Sequence, residues 1–365
     1  MDTRFLGQFL ILGLPGTELD RATQRVIQDL QPGGFILFSR NVESTRQLRQ
    51  FTDTLRRLCT DEPIIAIDEE GGRVSRLEAL GVRTPSPGRI AAAGDPGLVA
   101  MHARVIANFL RLLGINVNLA PVLDLSLGSD ELDGTLRQRC WGTETAQIIS
   151  NSHIFLSEMK KAGMVGCAKH FPTYTGSAVD PHHALPSIPG DIKSLLAGPV
   201  APFLALSGEV AAIMTAHVRL PEEAQTGGKA ASLSPVVVQK FLRDQLGFNG
   251  LVITDDLDMG AIREHHGVVD AAADAMLAGS DMVLLCHHPE ESFSIRERFA
   301  KLPHAVLHDA LKRIEKFRSQ LPKTIAFRED RWKAALDEAD ELEKELSSGI
   351  PSVNDDTVSS PVENY

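Results

Sequence analysis

The sequence predicts a single-domain (β/α)8 TIM-type barrel, and three observations carry that reading. Short apolar runs alternate with amphipathic helical stretches eight times in one continuous chain, the pattern of parallel strands joined by helical crossovers. Charged or polar residues stand directly after several of these runs, where a barrel gathers its chemistry. No GxGxxG segment follows the first run, which argues against the rival doubly wound sheet and its dinucleotide turn.

Taken in order, the first strand is expected over Phe9–Leu12, ended by Gly13, Pro15 and Gly16. A helical pattern from about Leu19 to Leu30 stops at Pro32-Gly33-Gly34, and Phe35–Phe38 forms the second strand. Ser44 is placed to cap a helix whose Leu48, Phe51, Leu55 and Leu58 share one face. Ile64–Ile67 is the third strand and runs into Asp68-Glu69-Glu70-Gly71-Gly72-Arg73. After a Pro/Gly-rich loop near Pro85, Leu98–Leu113 reads as a helix with Met101, Val105 and Phe109 in one stripe. The fourth strand begins at Val117–Leu119, and its loop reaches Arg139-Cys140-Trp141-Gly142 before a helix ending near Lys161. The remaining strands are Val165–Ala168, Ala212–Thr215, Leu251–Thr254 and Met282–Leu285, with Ser234-Pro235 as a helix cap followed by proline. The barrel is expected over residues 1–345 and a flexible polar tail over 346–365.

Composition narrows the function classes. A net charge of −11 in 365 residues argues against a nucleic-acid partner. The four cysteines (Cys59, Cys140, Cys167, Cys286) lie far apart, which fits neither a disulfide scaffold nor a thiolate metal site but does fit a reducing compartment. The first residues, MDTRFLGQFLILGL, hold too short an apolar run for a signal peptide or a spanning helix. A cytoplasmic protein without a membrane partner is expected, and a monomer.

The stretch from Val165 to Pro186, VGCAKHFPTYTGSAVDPHHALP, is the chemical centre of the chain. A short apolar run meets Lys169-His170, then breaks at Pro172 into a polar loop carrying Asp180, His182 and His183. Asp180 and His182 are two apart, so an extended loop would point both the same way, and the carboxylate would orient the imidazole for proton transfer. In a barrel these groups would converge with Asp68, Arg139, His217, Asp255 and Asp256 from other strand ends.

Two chemistries would draw on residues of these types, a metal site and glycoside cleavage. The histidine pairs at 182–183, 265–266 and 287–288 are adjacent residues that face opposite ways on an extended chain, and no HExxH occurs. No metal site and no cofactor are therefore expected. Glycoside chemistry needs a carboxylate to trap an oxocarbenium-like centre and a proton donor for the leaving oxygen. Asp255 or Asp256 supplies the first and His182 the second, with Lys169, His170, Arg139 and Asp68 left for sugar hydroxyls.

At this point the sequence resembles family 3 glycoside hydrolases of the β-N-acetylglucosaminidase branch. The resemblance runs from about Gly7 to Met259 through GGFILFSRNVES (33–44), IDEEGGRVSRL (67–77), NLAPVLDL (118–125), RCWG (139–142), KHFP (169–172), DPHHALP (180–186), MTAHV (214–218) and ITDDLDMGA (253–261). It implies Asp255 as the nucleophile, within Thr254-Asp255-Asp256-Leu257, and Asp180 with His182 as the acid/base dyad. It also implies Asp68, Arg76, Arg139, Lys169 and His170 as sugar-binding residues. The activity it implies is retaining release of terminal β-linked N-acetylglucosamine, with peptidoglycan-derived muropeptides as the family's usual setting.

Three departures from the family pattern stand out. Its Gly-His-Gly-Asp after Lys-His-Phe-Pro is here Thr173-Tyr174-Thr175-Gly176, which stiffens the dyad loop. Pro181 sits between the dyad members and biases Asp180 toward extended geometry. The chain also resembles the compact members that lack a second αβα domain. Asp124, His183, Asp256 and Asp258 read as structural or supporting residues, and Cys167 as a small buried strand residue. Met259 reads equally as a sugar contact or as packing. A phosphorylase using phosphate in place of water, a β-glucosidase of the same fold and a non-catalytic sugar-binding barrel remain the alternatives.

Overall fold

The computed structural model describes residues 3–177 and 179–349. Eight parallel strands close into a barrel in sequence order, with β1 (Leu10–Gly13) pairing both β2 (Gly34–Leu37) and β8 (Met282–Leu285). Between them lie β3 (Ile64–Ile67), β4 (Val117–Asn118), β5 (Val165–Phe171), β6 (Ala212–Thr215) and β7 (Leu251–Asp256). The residues of β1, β2, β3, β6 and β8 are buried on both faces, because one face fills the barrel and the other packs under helices. That is why these strands read as unbroken apolar runs rather than as alternating ones.

The helices start where their caps dictate. Asp20 caps Arg21–Leu30 by accepting the Thr23 N–H at 2.7 Å, and Ser44 caps Thr45–Leu58 through Gln47 N–H. Leu48, Phe51 and Leu55 are buried on that helix, as their spacing requires. The Ser234 cap differs from expectation. Helix Val236–Gln245 is of π type, its first turn hangs from the Ser234 backbone carbonyl, and the Ser234 hydroxyl is buried without a partner among the described residues. Proline takes the cap position here and has no side-chain acceptor to offer.

The end of the chain also departs from the sequence reading. A continuous helix runs over Glu329–Gly349, so residues 346–349 are not tail. Its charged sequence hides an apolar stripe, Trp332, Ala335, Ala339, Leu342 and Leu346, at alternating spacings of three and four. All five are buried, and Trp332 meets Phe109 edge-on at 4.8 Å on helix Pro96–Leu112. The expected tail beyond, 350–365, lies outside the described residues.

Two strands carry irregularities that matter for chemistry. The β5–β6 register shifts between Ala168 and Phe171, and the β7–β8 register shifts between Ile253 and Asp256. Both strands run past the ends expected for them, taking Lys169, His170, Asp255 and Asp256 into the sheet. The Lys169–His170 peptide bond is cis. Register shifts of this kind re-aim side chains.

Candidate active site

A pocket opens at the C-terminal end of the barrel. Apolar side chains from β2, β6 and β8 (Ile36, Met214, Leu284) form part of its lining. Its polar part comes from Asp68, Thr135, Arg139, Lys169, His170, Tyr174, His182, Asp255 and Asp256. Adjacent strand residues ordinarily face opposite sides, yet Lys169 with His170, and Asp255 with Asp256, both line the pocket. The register shifts at these two places account for it.

Four charges make one cluster. Lys169 Nζ lies 2.5 Å from Asp68 and 2.7 Å from Glu70, while Arg139 grips Glu70 through two parallel bonds of 2.8 and 2.9 Å. Two cations balance two anions, so the group sits almost fully buried without net charge. Burial opposes ionisation of Glu70, but Arg139 and Lys169 outweigh it and hold its carboxyl far below the usual range. Glu70 therefore positions the two cations that were expected to meet a sugar. The sequence contained a signal for this: Asp68 and Glu70 are two apart just beyond β3, so they share a side.

His170 is oriented from behind. Asp124 accepts the ring Nδ1–H at 2.7 Å and the His170 backbone N–H at 3.1 Å. Its other oxygen accepts from Thr173 Oγ1 and the Tyr174 N–H. Burial works against the Asp124 charge, yet His170 and these donors keep its carboxyl below the usual range. Asp124 is a supporting residue, as the sequence suggested.

The dyad loop is a turn rather than an extended segment. Asp180 takes the first position and Pro181 the second, and the His183 N–H closes the turn on the Asp180 carbonyl at 3.0 Å. Aspartate and proline favour these two positions for separate reasons, a side-chain bond to the backbone two residues on and a preset φ. Asp180 Oδ1 then accepts both the His182 N–H at 2.9 Å and the His182 ring Nδ1–H at 2.6 Å. Burial raises Asp180, but those bonds and the His182 charge bring it below the usual carboxylate range. His182 lines the pocket and its neighbour His183 is exposed.

Asp255 is held on both oxygens. Its Oδ1 accepts the Asp256 N–H at 2.9 Å, and its Oδ2 accepts the Tyr174 hydroxyl at 2.8 Å. Burial would raise its carboxyl, but His170, His217, the Tyr174 hydroxyl and the Asp256 N–H together keep it lowered. Asp256 goes the other way. Burial and the nearby charge of Asp258 push it up to about 8, so two adjacent aspartates are driven to opposite protonation states. That contrast leaves a charged carboxylate beside a neutral one.

His217 is not a free strand-end group. Its Nε2–H donates to the Asp256 carbonyl at 3.0 Å and its Nδ1 accepts from Ser232 Oγ at 2.7 Å, while burial lowers its pKa. Arg76 stands apart from the other expected sugar ligands. It is 1 % exposed, with its guanidinium 5.8 Å from the ring of Phe38, so it backs a pocket wall instead of forming one. Met259 is buried and lines the pocket. No cluster of three or more metal-ligating side chains occurs among the described residues.

The glycosyl hydrolase family 3 N-terminal domain model matches residues 6–317 of this chain. The chain belongs to glycosyl hydrolase family 3. As a family 3 glycoside hydrolase it is an enzyme acting on carbohydrate. A protein of Alkalilimnicola ehrlichii named beta-hexosaminidase is 35 % identical over 288 residues, covering 77 % of this chain and 81 % of the relative. Among solved structures, a family 3 beta-N-acetylglucosaminidase from Paenibacillus sp. str. FPU-7 has a TM-score of 0.83 at 29 % identity, over 94 % of this chain and 68 % of that one. NagZ from Neisseria gonorrhoeae, in complex with N-trifluoroacetyl-D-glucosamine, has a TM-score of 0.77 at 27 % identity, over 92 % and 97 %.

Within this family 3 pocket the sequence reading overlooked Glu70 and Tyr174 as working side chains. The signal for Tyr174 was the altered loop itself. Thr173 Oγ1 donates to Asp124, and Thr175 Oγ1 accepts the Leu125 N–H and donates to the Leu125 carbonyl, so both threonines tie the loop to the chain after β4.

Proposed function

We propose that this chain is a retaining β-N-acetylglucosaminidase that removes terminal N-acetylglucosamine from its substrates. The observation that carries the reading is the pairing of an ionised Asp255 with the 2.6 Å Asp180–His182 dyad in one pocket. Relatives named beta-hexosaminidase and beta-N-acetylglucosaminidase support the sugar identity. Asp255 attacks the anomeric carbon while His182 gives a proton to the leaving oxygen. The same imidazole, held by Asp180, then takes a proton from water as the sugar is released. Asp68, Lys169, Arg139 and His170 offer charge-assisted bonds to sugar hydroxyls. Muropeptides derived from peptidoglycan are the natural substrates in this reading, met by a cytoplasmic monomer. No helix among the described residues is long and apolar enough to cross a membrane.

Assaying aryl β-N-acetylglucosaminide and aryl β-glucoside side by side, with and without phosphate, tests the proposal. Preference for the first with free N-acetylglucosamine as product is expected. Preference for the glucoside, or release of a sugar 1-phosphate, would replace the reading.

A further inference from the structure

The Tyr174 hydroxyl is constrained more tightly than a packing tyrosine needs. Its oxygen accepts the His217 backbone N–H at 3.0 Å, which leaves its proton directed at Asp255 Oδ2, 2.8 Å away. The ring is buried and lies 4.8 Å from the His170 ring, and its backbone N–H is fixed by Asp124. Burial and the facing Asp255 charge raise the phenol well above its ordinary value, so it stays a donor.

We propose that Tyr174 is a positioning residue that governs how long the sugar stays bound to Asp255. The inference rests on the assignment of Asp255 as nucleophile. In the first step an Asp255 oxygen bonds to the anomeric carbon, the bond to the leaving oxygen breaks, and that oxygen keeps the electron pair and takes the His182 proton. The carboxylate becomes an ester, loses most of its charge and weakens the bond from Tyr174. In the second step a water oxygen bonds to the anomeric carbon and its proton passes to His182. The carbon–carboxyl bond breaks and the pair returns to Asp255. Charge grows on Asp255 in this step, and the fixed hydroxyl stabilises it where it develops. Tyr174 therefore speeds release and slows attack.

The groups facing Asp255 are His170 and Cys167 from β5, His217 after β6, Tyr174 from the dyad loop and Asp256 beside it. A Tyr174→Phe variant keeps the other four side chains, while the His217 backbone N–H loses its acceptor. With a dinitrophenyl β-N-acetylglucosaminide that variant is expected to show a burst of phenolate equal to the enzyme present. Its kcat should fall about tenfold to hundredfold, the span of a hydrogen bond to a charged group, with KM falling alongside. The acid limb of kcat/KM should move up by about one pH unit, since the carboxylate has lost a donor. Replacing Tyr174 with 3-fluorotyrosine, which keeps ring and hydroxyl but donates more strongly, should move the acid limb the opposite way.

A 2-fluoro or 5-fluoro glycosyl probe on the wild-type enzyme separates the two possible failures. Labelling of a carboxylate other than Asp255 overturns the nucleophile assignment and this inference with it. Labelling of Asp255, with no burst and an unmoved acid limb in both Tyr174 variants, overturns the role of Tyr174 alone.

Discussion

Two adjacent histidines, His182 and His183, stand in the dyad loop, and only one is built into the pocket. His182 has its ring fixed by Asp180 at 2.6 Å, while His183 is exposed. General acid catalysis contributes most when the leaving group is poor. The His182→Ala variant should therefore lose about 10²–10⁴-fold on a sugar or alkyl aglycone and keep much of its rate on a dinitrophenyl glycoside. Asp180→Asn should follow the same trend more weakly, because the imidazole remains but is less basic and less well aimed. A plot of log kcat/KM against leaving-group pKa checks this. A flat plot for His182→Ala together with a sloped one for His183→Ala would move the role to the neighbour.

Among the elements, the dyad turn keeps its place by touching the start of the short helix Gly260–Arg263 beyond β7. The Gly260 N–H donates to the His182 carbonyl at 3.0 Å, and the Ala261 N–H to the Pro181 carbonyl at 3.1 Å. A Cβ at position 260 would lie 2.6 and 2.7 Å from the backbone oxygens of His183 and His182. Those atoms cannot yield without moving the turn. Gly260→Ala should thus shift His182 relative to Asp255, and misplacement of about 1 Å costs on the order of a hundredfold in rate. The expected signature is a large fall in kcat/KM with Asp255 still labelled slowly by a fluoroglycoside and a native-like circular dichroism spectrum. Unchanged kinetics would show that the turn has slack the packing does not suggest.

Across the whole molecule, the charges buried beneath the pocket set how stability responds to pH. Glu69 is wholly buried, and burial pushes its carboxyl up to about 7, partly offset by Ser75 and by the Arg76 N–H and charge. A folded value above the unfolded one means that the stability contribution is complete below about pH 4.5 and is lost as pH rises through about 7. Asp256, pushed up to about 8, acts in the same direction. Glu70, Asp124, Asp180 and Asp255 act oppositely, since their lowered values cost stability only as pH falls into the acid range. His102 and His287, lowered to about 4 by burial, and His217, also lowered, gain stability as pH rises toward the ordinary histidine value and offset part of this. The melting temperature of the wild type should therefore decline between pH 5 and 8 by less than Glu69 and Asp256 alone would cause. Glu69→Gln should flatten that decline by an amount equivalent to roughly 3 kcal/mol at most. Thermal melts of both proteins across this range test it, and parallel curves would show that Glu69 is not titrating there.

The amino-acid sequence by itself determined the barrel, because burial on both faces of a parallel sheet writes unbroken apolar runs such as Ile64–Ile67 into the chain. It also determined the dyad, since Asp180 and His182 meet within one turn and need no distant partner. Its polar C-terminal helix was hidden from composition, for the stripe from Trp332 to Leu346 has meaning only against helix Pro96–Leu112. What holds Asp255 and the cations of Lys169 and Arg139 was decided by the tertiary structure. Tyr174 and Asp255 are 81 residues apart, and Glu70 and Arg139 are 69 apart. Side chains so distant meet only once the barrel has closed and the register shifts in β5 and β7 have turned neighbouring residues into one pocket. Periodicity records which face of an element is buried, whereas a contact between two strand ends depends on the register and closure of the whole sheet.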